Sequence, residues 1–307
     1  MERLIVYFPG ILFFVIFLIL TGILHFYRNL NRSKKPRSAF TQNLLRTPGQ
    51  SLIRKLDNIN TEINVYLFSV LFIPILITSL TVSFSYYKGK NLNLFDVYIS
   101  AIIGFIFIVF FLTKIIKLLN ERKITRLGYD GEVAVGQELN QLMLKGYYVY
   151  HDFPADKFNI DHIIVGESGV FAVETKARSK PTSPKARGNA TVTYNGRLLL
   201  FPQGVDLETI EQAKRQAAWL TNWIGSAVGE KVAVRPVVAL PGWYVKRTSA
   251  NGMPVVNPKQ FPSLFEHIAP RFVSPEMISR ITHQLEQKCR DVVPLSDDNV
   301  EDHKTFN

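Results

Sequence analysis

The sequence predicts an α/β domain carried behind a transmembrane helical region, and three observations lead there. Long apolar runs fill the first 120 residues and vanish afterwards. Beyond them, short β-rich runs alternate with stretches of helical periodicity in the order helix, strands, helix, strand, helix, which describes a mixed central sheet flanked by helices. Charge is partitioned in the same way: residues 1–127 hold 16 Lys and Arg against 5 Asp and Glu, whereas residues 128–307 hold 20 of each. The net charge of +11 therefore belongs to the membrane half, where basic loops set orientation, and the second half has no overall polyanion-binding excess. The single cysteine, Cys289, excludes an internal disulfide framework and a cysteine-rich zinc site.

Residues 4–27 form an unbroken apolar run of 24 residues, long enough as a helix to cross roughly 30 Å of hydrocarbon. A cleavable signal peptide fits less well, because the charged leader is only Glu2 and Arg3 and no small-residue cleavage site follows. Residues 63–87, with Pro74 inside, and residues 94–119 give two further spans joined by a short turn, a hairpin in the bilayer. The loop at 28–62 carries Arg28, Arg32, Lys34, Lys35, Arg37, Arg46, Arg54 and Lys55 against Asp57 and Glu62, which places it in the cytoplasm. Lys114, Lys117, Arg122, Lys123 and Arg126 put the end of the third span on the same side. The expected arrangement has its N-terminus outside the inner membrane, everything after about residue 120 in the cytoplasm, and the basic loop against anionic lipid rather than nucleic acid.

In the soluble half, helical spacing covers 129–145, with Gly146 at its C-cap. Strands are predicted at 147–153, 160–165 and 170–175, the last two as a hairpin closed by GESG. Asn195-Gly196 signals a two-residue hairpin between strands at 191–194 and 197–201. A helix at 207–224, strands at 232–240 and 253–256, and helices at 262–269 and 275–291 follow, the last capped by Ser274 with Pro275 at its first position. The expected organisation is thus span 1–27, loop 28–62, hairpin 63–119, α/β domain 120–256, terminal helices 257–293 and a disordered acidic tail 294–307.

Asp161 is an acid inside an apolar strand, and Glu174 and Lys176 are charges at the end of another. Strand side chains alternate, so Glu174 and Lys176 share a face, and the hairpin sets Asp161 beside them. Two carboxylates and an ammonium suit Mg²⁺ or Mn²⁺ held by Asp161, Glu174 and the Thr175 carbonyl, with Lys176 orienting an attacking water. This is the equipment of phosphodiester hydrolysis, where hard oxygen ligands serve better than His or Cys. Glu132 lies on the preceding helix, within reach of the same group. His162 alternates to the face opposite Asp161 and reads as structural. Trp219, Trp223 and Trp243 read as core.

The run GYDGEVAVGQEL, the Tyr-rich strand after it and NIDHIIVGESGVFAVETKA together resemble the nuclease-related domain family, NERD, over roughly 127–256. The resemblance implies a restriction-endonuclease-like fold and functional roles for Glu132, Asp161, Glu174, Lys176 and Gln212. One departure concerns Gln212: the family has Asn-Pro shortly before that glutamine, and this chain reads DLETIEQ.

Between Thr175 and Val205 there is no acid, while Lys176, Arg178, Lys180, Lys185, Arg187 and Arg197 supply six cations around Tyr194, the best candidate surface for a DNA backbone. The leading expectation is a membrane-anchored, metal-dependent nuclease acting on nucleic acid, DNA first. The rivals are a catalytically idle, membrane-tethered module that binds nucleic acid or protein, and a sensor or pore. The last lacks support, because no ionisable residue sits mid-span.

Overall fold

The structure is a computed structural model that describes residues 42–89, 93–181, 190–268 and 271–294, with the isolated positions Ile19, Gly22, Ile23 and Phe26. The expected first span (apart from those four positions), the basic loop up to residue 41 and the acidic tail from residue 295 lie outside the described residues. The chain divides into two compact units, residues 1–39 with 57–122 and residues 40–56 with 123–307.

The first unit holds most of two long helices, α1 (Gln50–Tyr87) and the start of α2 (Leu94–Asn140). Among the described residues these two, rather than the three expected, are long and apolar enough to cross a membrane. Their outer surface is large and apolar, with Phe68, Leu71, Ile75 and Phe105 all exposed. Ser69, Thr78 and Thr81 turn their hydroxyls back onto carbonyls three or four residues earlier, so the polar side chains are satisfied within their own helix. Pro74 packs against Gly104, and Tyr66 meets Phe111 at 5.8 Å between ring centroids. The separate helix expected at 129–145 is instead the end of α2, prolonged by a 3₁₀ turn at Gln141–Lys145 and stopped by left-handed Gly146.

The second unit is a mixed α/β domain built on two sheets. The larger sheet runs β1 (Tyr148–Pro154), β2 (Asn159–Gly166), β3 (Gly169–Thr175), β7 (Val234–Ala239), β9 (Val255–Val256) in space. β1–β3 are an antiparallel meander, whereas β7 and β9 join in parallel. β3 is buried at every position, as expected of a central strand covered on both faces. One face is covered by α3 (Glu208–Val228) and α5 (Pro275–Cys289), which present Ala217, Leu220, Ile224 and Ile278, Ile281, Leu285 at helical spacing. The other is covered by the end of α2, through Val135 and Leu139, and by α4 (Phe261–His267), through Phe261 and Phe265. Each fully buried Val, Leu, Ile or Phe among them contributes about 1.5–3 kcal/mol.

The smaller sheet has the order β6 (Gly204–Asp206), β5 (Leu199–Phe201), β4 (Thr191–Tyr194), β8 (Tyr244–Arg247), and packs Val192, Leu199 and Trp243 against Ile210 at the start of α3. Strands β6 and β8 were not anticipated. The β4–β5 turn is also longer than the two residues that Asn195-Gly196 suggests: pairing closes at Tyr194 and Leu199, and Asn195 Oδ1 accepts the amides of Arg197 and Leu198. Ser274 caps α5 as expected, accepting from the Met277 amide at 3.2 Å.

Candidate active site

The β2–β3 register pairs His162 with Val173, which sets Asp161 opposite Glu174. Both carboxylates face α3, on the side of Ile163 and Ala172. Asp161 Oδ2 accepts the Thr175 amide at 2.7 Å, and Glu174 Oε2 accepts Gln216 Nε2 of α3 at 2.8 Å. Glu132 arrives from α2, which approaches the end of β3 closely because residue 131 is glycine: a Cβ there would lie 2.5 Å from that of Ala177. Lys176 follows the last residue of β3 and is held to the sheet by its amide on the Ala239 carbonyl. Its Nζ lies 3.9 Å from Asp206 Oδ2.

Glu132, Asp161, Glu174 and Lys176 thus come together. The electrostatics record their proximity. Burial, with Asp161 and then Asp152 adding repulsion, pushes Glu132 up to about 9. Burial pushes Asp161 up to about 7, with the Thr175 amide and Lys176 opposing. Burial and the Asp161 charge hold Glu174 well above the usual carboxylate range, against Gln216 and Lys176. Two oxygens in this group, Glu132 Oε2 and Gln216 Oε1, are buried without a hydrogen-bond partner. Among the described residues no three of His, Cys, Asp and Glu form a ready metal cage. A cation here would therefore rest on two carboxylates and neutral oxygens, a donor set that suits Mg²⁺, which keeps part of its shell for water and phosphate. The unpartnered oxygens and mutually repelling acids fit such a cation.

Behind Thr175 runs a chain of side chains, buried at Thr175, His162 and His151 and ending at exposed Asn140. Thr175 Oγ1 lies 3.1 Å from His162 Nε2, His162 Nδ1 2.8 Å from His151 Nδ1, and His151 Nε2 3.0 Å from Asn140 Oδ1. Burial lowers both imidazoles, His151 to about 4, so both are neutral. Neutrality and Asn140 Oδ1 then set the tautomers: His151 donates through Nε2, His162 donates through Nδ1, and the Thr175 hydroxyl donates to His162. The expectation of a hydrogen-bonded structural His162 matches this placement.

Gln212 is on α3 but half-buried, and Gln216, one turn later, makes the contact with Glu174. At the start of α3, the Asp206 carboxylate accepts the Thr209 amide at 3.0 Å. The same carboxylate lies 3.9 Å from Arg178 as well as from Lys176. Arg178 also stacks over Phe201, 4.5 Å from its centroid. Lys180 and Arg197 are exposed, and Lys185 and Arg187 lie outside the described residues. Gln216, Asp206 and Asp152 escaped the sequence reading. The signal for Gln216 was its position four residues after Gln212, on the same helical face.

Comparison with known proteins gives one family and one relative. An uncharacterized protein of Bacillus anthracis is 44% identical over 54 residues, which cover 16% of this chain and 26% of that protein. The chain thus spans about a quarter of that relative in the matched region. No solved structure matches. Residues 127–241, which contain the Glu132, Asp161, Glu174 and Lys176 group, match NERD, the nuclease-related domain family.

Proposed function

We propose that this domain hydrolyses phosphodiester bonds of nucleic acid, with DNA as the first substrate to test. The chain is anchored in the cytoplasmic membrane, N-terminus outside and domain inside. The supporting observation is the gathering of two buried acids, Glu132 and Glu174, and the half-buried Asp161 beside one amine at the end of β3. Desolvation and repulsion among them cost the fold stability, and such groups concentrate at sites of chemistry.

Asp161, Glu174 and the Thr175 carbonyl are the oxygens that would hold Mg²⁺ or Mn²⁺, which when bound would supply positive charge against the negative charge developing on the scissile phosphate. The Thr175 amide fixes one carboxylate and Gln216 the other, so neither needs to reorganise when a phosphate enters. Lys176, partly exposed, offers a mobile ammonium to orient the attacking water and to share charge with a phosphate oxygen. Glu132, protonated at neutral pH, can hold or release a proton at its free Oε2. Arg178, Lys180, Lys185, Arg187 and Arg197 are the residues proposed to meet the backbone.

Full-length protein in detergent with Mg²⁺ or Mn²⁺ should cut DNA, and Asp161→Ala or Lys176→Ala should abolish cutting. Inactivity of the wild type on every single- and double-stranded DNA and RNA would defeat the proposal and leave the idle, membrane-tethered binding module.

A further inference from the structure

The pairing of β2 with β3 runs from Gly166 opposite Gly169 to His162 opposite Val173, and goes no further. Asp161, Glu174 and Thr175 therefore lie just beyond its last pair, where the backbone ladder no longer sets the distance between the two strands. Two bonds to side chains continue from there, and both end on Thr175. Its amide donates to Asp161 Oδ2 at 2.7 Å, and its hydroxyl lies 3.1 Å from His162 Nε2. Asp161 and His162 are adjacent in β2 and point to opposite faces of the sheet. One strand thus clasps Thr175 twice, by its backbone on the side of the acids and by its side chain on the side of α2.

The face that carries His162 otherwise buries Val135 and Leu139 of α2 against Ile164, Phe171 and Val173. His162 is 0% exposed, and His151 and Thr175 are buried with it. Apolar residues at these positions would pack in the same layer without any polar group to desolvate, so the chain of polar side chains is not there for stability. It is also tightly constrained. His162 Nδ1 lies 2.8 Å from Nδ1 of His151, its cross-strand partner in β1, and this contact admits one proton between the two nitrogens rather than two. The two rings meet edge to face, at 86° with centroids 5.1 Å apart. His151 is anchored in turn by Asn140 Oδ1, on the last residue of α2. The His162 imidazole is therefore held at both of its nitrogens.

We infer that His162 is a positioning residue for the cation-holding oxygens, and that His151 acts through it. This rests on the nuclease reading only for the assignment of Asp161, Glu174 and the Thr175 carbonyl to a divalent cation. Thr175 connects all three: its amide holds Asp161, its carbonyl is one of the oxygens, and Glu174 precedes it in β3. Tying its hydroxyl to His162 holds the end of β3 against β2, which sets the separation of the two carboxylates and the direction of the carbonyl. His162 itself, on the opposite face, touches neither a cation nor a phosphate. Bonds of this kind, which orient the ligands of a metal ion, change its affinity by about 10- to 100-fold.

The test uses Mn²⁺ alone as the probe, with full-length protein in detergent and no nucleic acid. Free Mn²⁺ is read by electron paramagnetic resonance, and the site's share is the binding that Asp161→Ala removes. His162→Leu deletes the contact with Thr175, whereas His162→Gln keeps an acceptor for the Thr175 hydroxyl. His162→Leu should weaken Mn²⁺ binding by about tenfold or more, His151→Leu should weaken it less, and His162→Gln should recover most of the loss. Urea midpoints are taken on the same proteins. A histidine that only supports the fold would lower the midpoint of His162→Leu while the folded protein keeps its wild-type Mn²⁺ affinity, and that result overturns the inference. Equal affinities of the Leu and Gln variants would overturn it as well. If His162→Leu fails to fold, Thr175→Val removes the hydroxyl from the other side of the same contact, and an unchanged Mn²⁺ affinity there is the overturning result. Wild type that takes up Mn²⁺ but cuts no nucleic acid would sink the nuclease reading and leave these affinities to judge His162. Wild type without a Mn²⁺ site that depends on Asp161 would overturn the cation assignment and this inference with it.

Discussion

Replacing Glu132 with Gln should flatten the pH dependence of the domain's stability. Glu132 is 8% exposed, and burial with Asp161 nearby pushes it up to about 9. The unfolded chain releases that proton near pH 4.5, so between these limits the folded state holds a proton the unfolded state has lost. Its contribution is complete at low pH and disappears as pH rises through the folded value. The slope is about 1.4 kcal/mol for each pH unit per proton, so roughly 3 kcal/mol should be lost between pH 6.5 and 8.5. That is a large share of the ~5–15 kcal/mol that holds a typical domain folded. All three tryptophans, Trp219, Trp223 and Trp243, lie in the second unit, so urea unfolding followed by tryptophan fluorescence reports this domain and not the long apolar helices of the first unit. With EDTA present, the wild-type midpoint should fall steadily across this range while that of Glu132→Gln falls less, by one proton's worth. Excess Mg²⁺ should flatten the wild type too, because a cation lets the acids ionise in place. Identical slopes in the two proteins would refute the reasoning that Glu132 is buried among like charges.

Gln216→Leu removes the donor to Glu174 and should cost about 1–3 kcal/mol in the same urea assay, against less than about 0.5 kcal/mol for Gln212→Leu; equal costs would show that the Glu174 contact is not formed. Gly131→Ala puts a methyl 2.5 Å from the Ala177 Cβ and should destabilise by about 1–3 kcal/mol. A midpoint indistinguishable from wild type would mean that α2 does not seat there. Arg197, exposed in the β4–β5 turn, should contribute about 0.9 to the slope of log affinity against log salt for duplex DNA if it meets a phosphate. An unchanged slope for Arg197→Ala would remove it from the interface.

The Asp161, Glu174 and Lys176 group could be foreseen because it depends only on strand alternation and a short hairpin, both local properties of β2 and β3. The same holds for Ser274 capping α5 and for the buried faces of α3 and α5, which follow a 3.6-residue period. Boundaries that depend on what happens next in space were harder to foresee. α2 runs on past the apolar stretch into the domain because residues 120–128 hold no proline and only one glycine, Gly128. β6 and β8 are only three and four residues long, and exist because β5 and β4 offer them partners.

Sequence alone determined the apolar helices, the alternation that defines the central sheet and the pairing of two acids with a lysine on one strand face, since each is written in residue order over a dozen positions. Tertiary structure decided which glutamine reaches Glu174, that Asp206 stands beside Lys176 and Arg178, and that Arg46 joins Asp152 to Asp291. Those contacts link residues 42, 30, 106 and 245 positions apart. No periodicity spans such distances; they are set only when packed helices and sheets bring remote side chains to one place.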